Sequence, residues 1–241
     1  MPIARAVLLC AGTGSRMGSV GRQTPKCLLE VGGRTILDRQ LDALEASGIG
    51  ERVVVAGHLA EAIRTAAGPR AEVVLNPDYA TTNVLASLAC AVRGREPAAR
   101  LLVLAGDVAF DPVILGDLLE ARSPIRLAVD RSRKDEEAVK VRLRGTRVTQ
   151  IGKELPIADA DGEFLGLLAA DGSAAMQIGA RACTMTDRGE RDAYLYTMLR
   201  QILQEGHLAI DAIPVGRRRW EEVDTPEDLT RARERFEEGK R

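Results

Sequence analysis

Leu9-Cys10-Ala11-Gly12-Thr13-Gly14-Ser15-Arg16-Met17-Gly18, continued by Thr24-Pro25-Lys26-Cys27-Leu28-Leu29, is the stretch that decides the fold. An apolar run at residues 4–9 leads into it, of the kind buried on both faces of a parallel sheet. A strand that passes straight into a Gly-rich turn lets backbone N–H groups approach the oxygens of a polyphosphate. The glycines at 12, 14 and 18 do not make the dinucleotide fingerprint, and no Gly-Lys-Ser/Thr makes a Walker loop. A tight turn by itself leaves Arg16 and Lys26 unexplained. Pro25 fixes φ just ahead of Lys26 and aims it.

Strand and helix patterns alternate outward from this stretch. Ile36, Leu37, Leu41 and Leu44 fall on one face of a helix over 36–47, closed by Gly48. Residues 51–56 predict a buried strand, 58–67 a helix, 71–75 a strand, and 82–92 a helix capped by Thr81 or Thr82. A fourth strand at 101–104 ends at Gly106-Asp107. After residue 124 the pattern shortens to strand-like runs at 125–129, 139–143, 148–151 and 163–168. A helix at 192–205, a strand at 209–214 and a helix opened by Thr225-Pro226-Glu227 follow, and the charged tail 231–241 reads as a solvated helix end. The expected class is α/β: a Rossmann-like mixed, mostly parallel sheet with helices on both faces, plus a small β extension over the site. Residues 1–241 are expected to form a single domain. Within it, 1–124 make the nucleotide-binding core, 125–190 an acceptor-side β extension, and 191–241 the strand and helices that complete a metal site. Ligands in such sheets sit beyond the carboxyl ends of the strands, where the Gly-rich loop and Asp107 both fall.

Composition narrows the partners. The chain has 241 residues with 34 basic and 35 acidic side chains, so no global positive field exists to hold nucleic acid. Cys10, Cys27, Cys90 and Cys183 match neither a CxxC pair nor a zinc site. No apolar run approaches a membrane span or a signal-peptide core, which leaves the cytoplasm as the default address. Arg217-Arg218-Arg219 reads as a solvated turn, with anion binding the other reading. His58 and His207 look structural or exposed.

Two further blocks carry chemistry. Asp107 and Asp224 each follow or end a short strand, and two carboxylates meeting at a sheet edge suit Mg²⁺. Within Asn76-Pro77-Asp78-Tyr79-Ala80-Thr81-Thr82-Asn83-Val84-Leu85-Ala86-Ser87-Leu88, Asn83 and Ser87 are one helical turn apart and could read a base or ribose. Capping by Thr82 and Asn83 over a buried Ser87 is the other reading.

Together these blocks resemble the sugar-phosphate nucleotidyltransferase superfamily. The resemblance implies a nucleoside triphosphate held by the first loop, with Leu9, Ala11, Gly12, Thr13, Gly14, Asn76, Asn83, Ser87 and Gly106 around the nucleotide. It implies that Arg16 and Lys26 stabilise charge at the reacting phosphorus, and that Asp107 and Asp224 bind Mg²⁺. The Gln-Gly-Thr-Ala type segment of the hexose-1-phosphate branch is absent. The chain is more similar to the small branch that makes CDP-activated phosphocholine, 2-aminoethylphosphonate, 2-hydroxyethylphosphonate or inositol phosphate, which implies CTP as donor. Val129-Asp130, Val139-Lys140-Val141, Ile151-Gly152-Lys153 and Gly162-Glu163-Phe164-Leu165-Gly166 resemble that branch in order and spacing. By that resemblance Asp130, Lys140, Lys153 and Glu163 line the acceptor site and Lys153 meets the acceptor phosphate or phosphonate. For Lys140 and Glu163, exposed strand charge is the other reading. Tyr194-Leu195-Tyr196-Thr197 stands where the branch often has Tyr-Glu-Asp. The missing carboxylate points to an uncharged head that Tyr196 could meet, with 2-hydroxyethylphosphonate first and 2-aminoethylphosphonate next. Trp220 is expected to pack under the metal loop. The expected partners are CTP and a small phosphonate or phosphate acceptor, with no nucleic acid or membrane and a homodimer left open. Two rivals stand beside this reading: a hexose-1-phosphate uridylyl- or guanylyltransferase, and a nucleotide-binding regulatory module without catalysis.

Overall fold

The computed structural model describes residues 4–237. β1 (Ala4–Cys10) alternates Val7 to one face and Ala6 and Leu8 to the other, and all three are fully buried. α1 (Gly18–Gln23) and the hairpin β2–β3 (Glu30–Val31, Arg34–Thr35) lead to α2 (Ile36–Ala46), where the Thr35 hydroxyl caps by accepting from the Asp38 N–H. β4 (Glu51–Ala56), α3 (Ala60–Ala67), β5 (Glu72–Leu75), α4 (Val84–Val92) and β6 (Arg100–Ala105) continue the alternation. Then come β7 (Val108–Phe110), α5 (Pro112–Glu120), β8 (Ile125–Asp130), β9 (Lys140–Arg144), β10 (Arg147–Gly152) and β11 (Gly162–Asp171). α6 (Ser173–Asp187), α7 (Leu195–Glu205), β12 (Ile210–Pro214), β13 (Trp220–Glu222) and α8 (Pro226–Phe236) complete the order.

Nine strands form one sheet in the order β5-β4-β1-β6-β11-β8-β12-β10-β9. The pairs β5–β4, β4–β1, β1–β6 and β8–β12 are parallel, and the others antiparallel. α4, α6 and α7 cover one face over Val7, Val53, Val55, Leu101 and Val103. α2, α3 and α5 cover the other over Ala6, Leu8, Val54, Leu102 and Leu104. The class is therefore the expected mixed α/β fold with helices on both faces.

The second half of the sheet does more than extend it. β11 pairs with β6 and β8 along residues 167–171, shifts register between Phe164 and Leu168, and pairs through Gly162 and Glu163 with β9. Gly166 at φ 78° absorbs the bend, and its missing side chain leaves room for Ala105. The strands β11, β8, β12, β10 and β9 thereby close into a small ring beside the parallel half. So residues 125–130 and 162–171 are interior sheet strands, and the hairpin β9–β10 closes the ring between β12 and β11.

Other boundaries move for local reasons. α3 starts at Ala60 because Leu59 takes a left-handed conformation at φ 51°. Asn83, not Thr81 or Thr82, is the N-cap residue of α4. α6 lies in a stretch to which the pattern assigns no element. Its buried stripe of Ala174, Ala175, Ile178, Ala182 and Met185 is mostly alanine and gives little amphipathic contrast. The tail beyond Glu237 lies outside the described residues.

Candidate active site

The site forms where β1, β6 and β13 end together. β1 turns at Ala11–Gly14 into a short 3₁₀ turn, Ser15–Met17, closed by the Met17 N–H donating to the Gly14 carbonyl at 2.9 Å. Nothing lies within 4 Å of where a side chain on Gly12 would stand, so the loop is open to a ligand. Gly106 is packed the opposite way. Its N–H donates to the Leu9 carbonyl at 3.1 Å, and an added Cβ would lie 2.5 Å from Cys10 Sγ and 2.7 Å from that carbonyl. This close approach fixes Asp107 beside the loop.

Register then brings the second carboxylate. β7 pairs with β13 so that Val108 faces Glu222, and the Val223 N–H donates to the Asp107 carbonyl at 2.9 Å. Asp228 accepts from the N–H groups of Asp224 and Thr225 at 3.0 and 2.7 Å, and its own N–H donates to the Thr225 hydroxyl. That capping box satisfies the start of α8 and leaves the Asp224 carboxylate free to face the cleft. Lys26 Nζ donates to Asp107 at 3.1 Å and also to Asp224, and Arg16 pairs with Asp224 at 2.7 Å. Burial works to lower the Lys26 pKa, but the charges of Asp107 and Asp224 outweigh it and hold it above the usual lysine value.

Glu222 joins this group. Oxygens of Asp107, Glu222 and Asp224 all lie within 4.8 Å of one another. Solvent reaches Glu222 along the cleft, yet protein surrounds it. Loss of water first, then repulsion from Asp107 and Asp224, pushes its carboxyl up to about 8 against the opposing charges of Lys26 and Lys153. The motif reading passed over Glu222. In an extended strand residues two apart share a face, so its spacing from Asp224 was the available signal. Three convergent carboxylate oxygens are a donor set suited to a hard divalent cation.

The other sequence-derived positions divide. Asn76 is buried; its Nδ2 donates to Thr82 and Ser87 hydroxyls at 3.2 and 3.0 Å, and its Oδ1 accepts from the Asp78 N–H. Ser87 is buried with it, its hydroxyl accepting from Asn76. Asn83 N–H and Nδ2 donate to the carbonyls of Arg191 and Asp192, which ties α4 to the segment before α7. Leu9 and Gly106 meet through backbone as described, while Ala11 accepts from the His58 N–H at 3.5 Å and Thr13 lies between Gly12 and Gly14 in the open turn.

Asp130, Lys140 and Glu163 are all buried and already partnered, so Lys140 and Glu163 are not exposed strand charges. Asp130 accepts from Trp220 Nε1 at 2.8 Å and from Ser132. Lys140 Nζ donates to the carbonyls of Asp135, Glu136 and Ala138. Glu163 pairs with Arg133 at 3.5 Å and accepts from the Asp135 N–H. An acceptor could reach these groups only by breaking those bonds. Trp220 is buried in β13, paired with Phe110 of β7, with Arg133 over its ring. Lys153, by contrast, lies close enough to act on Glu222 and sits 5.9 Å from the Tyr194 ring, which stacks on Tyr196 at 5.3 Å. In the basic run, Arg218 pairs with Asp117 and Arg219 with Asp111.

Residues 6–205 match the MobA-like NTP transferase domain. The chain is 40% identical over 132 residues to the CMP-5'-(3-aminopropyl)phosphonate synthase of Streptomyces rubellomurinus, which covers 53% of this chain and 21% of that protein. It is 34% identical over 231 residues to the bifunctional IPC transferase and DIPP synthase of Rubrobacter xylanophilus, covering 93% of this chain and 50% of the relative. The chain thus spans half or less of the length of these two relatives. The structure of the CTP:phosphocholine cytidylyltransferase of Streptococcus pneumoniae shares the fold, with a TM-score of 0.78 over 97% of this chain and 99% of that one at 20% identity.

Proposed function

The chain belongs to the family of MobA-like NTP transferase domains, and on that premise we propose that it transfers the CMP part of CTP to a small acceptor bearing a phosphonate or phosphate, releasing pyrophosphate. The observation that carries this reading is the convergence of Lys26 and Arg16 on the Asp107–Glu222–Asp224 cluster at the mouth of an open Gly-rich loop. The names of two similar proteins, a CMP-phosphonate synthase and a CTP:phosphocholine cytidylyltransferase, support the choice of CTP and of an acceptor with an acidic phosphorus group.

In this reading the loop at Ala11–Gly14 binds the triphosphate through backbone N–H groups. An oxygen of the acceptor phosphonate, already anionic at neutral pH, attacks the α-phosphorus in line. A new P–O bond forms as the bond to the pyrophosphate oxygen breaks, so no general base is required. Lys26 and Arg16 turn from the carboxylates toward the phosphates and stabilise charge that grows in the transition state, while Lys153 orients the acceptor. Asp107, Glu222 and Asp224 would hold a Mg²⁺ ion, which supplies neutralisation of phosphate charge when bound. The acceptors to try first are 2-hydroxyethylphosphonate and 2-aminoethylphosphonate.

Thermal-shift titration with Mg²⁺ and each NTP tests the donor, since a ligand bound by the native state alone raises stability. Stabilisation by UTP or GTP but not by CTP would show the donor assignment to be wrong. Pyrophosphate release over a panel of phosphonates and phosphoalcohols tests the reaction, and silence with every NTP and acceptor would sink the transferase reading.

A further inference from the structure

β6 ends at Ala105 and β7 starts at Val108, so Gly106 and Asp107 alone make the link between them. One side chain grips both ends of that link. Gln40 Nε2 donates to the Ala105 carbonyl at 2.8 Å and to the Val108 carbonyl at 2.9 Å. Both partners are acceptors, so the nitrogen of the amide and not its oxygen must face them. Gln40 is buried on α2, where Leu37, Leu41 and Leu44 pack into the core and hold the helix in place. Its Oε1 is buried too, with no partner among the described residues. An unpaired buried oxygen is a penalty that an apolar side chain of similar shape would not bring. The amide is therefore kept for the two bonds that its nitrogen makes.

α2 is also tied to the turn that carries Lys26. The Ile36 N–H donates to the Leu29 carbonyl at 3.2 Å, three residues beyond Lys26, and Gln40 lies one turn further along the same helix. The helix thus connects the turn of Lys26 to the link of Asp107, whose side chains meet at 3.1 Å.

We propose, resting on the transferase reading and its metal site, that Gln40 is a positioning residue for Asp107. It fixes the span between the Ala105 and Val108 carbonyls and so holds the Asp107 carboxylate where it can share a divalent cation with Glu222 and Asp224. The other ties of the link are single. The Gly106 N–H is anchored to Leu9 and the Asp107 carbonyl to Val223, and a glycine leaves rotation between such anchors. The two-pronged amide removes that freedom. Gln40 acts through the backbone of the link alone.

Gln40→Met removes both donors and keeps the length of the side chain. Melting curves over a Mg²⁺ titration read the dissociation constant of the ion. Asp171→Asn serves as a destabilised control, because Asp171 pairs with Arg100 at the opposite end of β6. Gln40→Met is expected to weaken Mg²⁺ binding by about tenfold or more, the scale on which groups behind a metal ligand act. Asp171→Asn should bind Mg²⁺ as the parent does. Gln40→Glu, as the neutral acid, keeps one donor for two carbonyls and should fall between the parent and Gln40→Met. Parental Mg²⁺ affinity in Gln40→Met, or in Gln40→Glu where the first variant does not fold, overturns the proposal. Equal weakening in Asp171→Asn overturns it as well, since lost stability would then be the whole effect. No Mg²⁺-dependent shift in the parent overturns the metal site and the positioning role together. Pyrophosphate release by the parent, with unchanged Mg²⁺ affinity in the Gln40 variants, would leave the transferase reading standing and remove Gln40 from it.

Discussion

Lys26→Met keeps the length of the side chain and removes the ammonium that holds Asp107 and Asp224. Asp107, Glu222 and Asp224 then face one another within 4.8 Å, with Arg16 still on Asp224. Two unit charges at that separation repel by about 3–4 kcal/mol at an effective dielectric constant near 20, before solvent in the cleft reduces it. Breaking a fully buried pair costs about 3–5 kcal/mol. Lys26, Asp107 and Asp224 keep 15–25% of their side-chain exposure. The expected loss is therefore smaller, about 1–3 kcal/mol, or roughly 3–10 °C in melting temperature for a chain of this size. Mg²⁺ relieves the same repulsion and no longer competes with Lys26. The variant is thus expected to bind the ion about tenfold more tightly than the parent while its turnover falls about 10²-fold or more. The pKa of Lys26 is raised in the folded protein, so its stabilisation is full below the ordinary lysine value and is lost only as pH climbs through the folded value. Lys26 itself therefore adds no pH dependence from neutral to mildly alkaline pH, but Glu222 does: the gap should widen as pH rises past about 8, because Lys26 offsets the charge that Glu222 acquires there. Melting curves over a Mg²⁺ titration, read beside pyrophosphate release, measure all of this. A gap that does not narrow as Mg²⁺ rises, or near-parental turnover, would refute the reasoning.

Asp107→Asn and Asp224→Asn are each expected to lower turnover by about 10²-fold, and the double variant by less than the product, because both act through one ion; independent, multiplying losses would count against a shared ion. Gly106→Ala places a methyl group against Cys10 Sγ and the Leu9 carbonyl and should cost about 1–3 kcal/mol as well as activity, and an unchanged denaturant midpoint would contradict the packing. Asp171→Asn removes the carboxylate that binds the fully buried Arg126 at 2.7 Å, for a loss of about 2–3 kcal/mol at neutral pH. Burial works to raise the Asp171 pKa, but Arg100 and Arg126 hold it below the usual aspartate value. Its contribution is thus present above that value and lost as pH falls through the folded one. The deficit of the Asn variant in urea unfolding should then shrink below about pH 4, and equal deficits at pH 7 and pH 3.5 would be inconsistent with this.

The parallel half of the fold was legible because its signals are local. β1 runs apolar into a Gly-rich turn, and α2 shows its Ile36–Leu44 stripe on the surface of the pattern. The ring was not, because the bend at Gly166 and the pairing of Gly162 and Glu163 with β9 are tertiary facts about a strand that reads as one short run. The charges of Lys140 and Glu163 are ambiguous for the same reason. Charged residues on short strands look solvated until the ring closes over them and supplies three loop carbonyls and Arg133 as partners.

Glu221 and Glu222 mark the limit within the site. They are neighbours of one residue type, and strand alternation sends them opposite ways. Glu221 is fully buried against Arg133, Arg231 and Arg235, and Glu222 faces Asp107 and Asp224. Composition cannot tell which is which, whereas counting back two from Asp224 does. No such count reaches the acceptor side. Lys153 comes from the end of β10, Tyr194 and Tyr196 from the start of α7, and the segment at Arg191–Asp192 is tied to Asn83 before α4. The charge-bearing end of the site is fixed by one loop and one strand pair, so sequence motifs carry it. The end proposed for the acceptor is assembled from separate segments with no pairing register between them, so on that reading substitutions there are expected to change the molecule accepted while the Asp107–Glu222–Asp224 cluster stays in place.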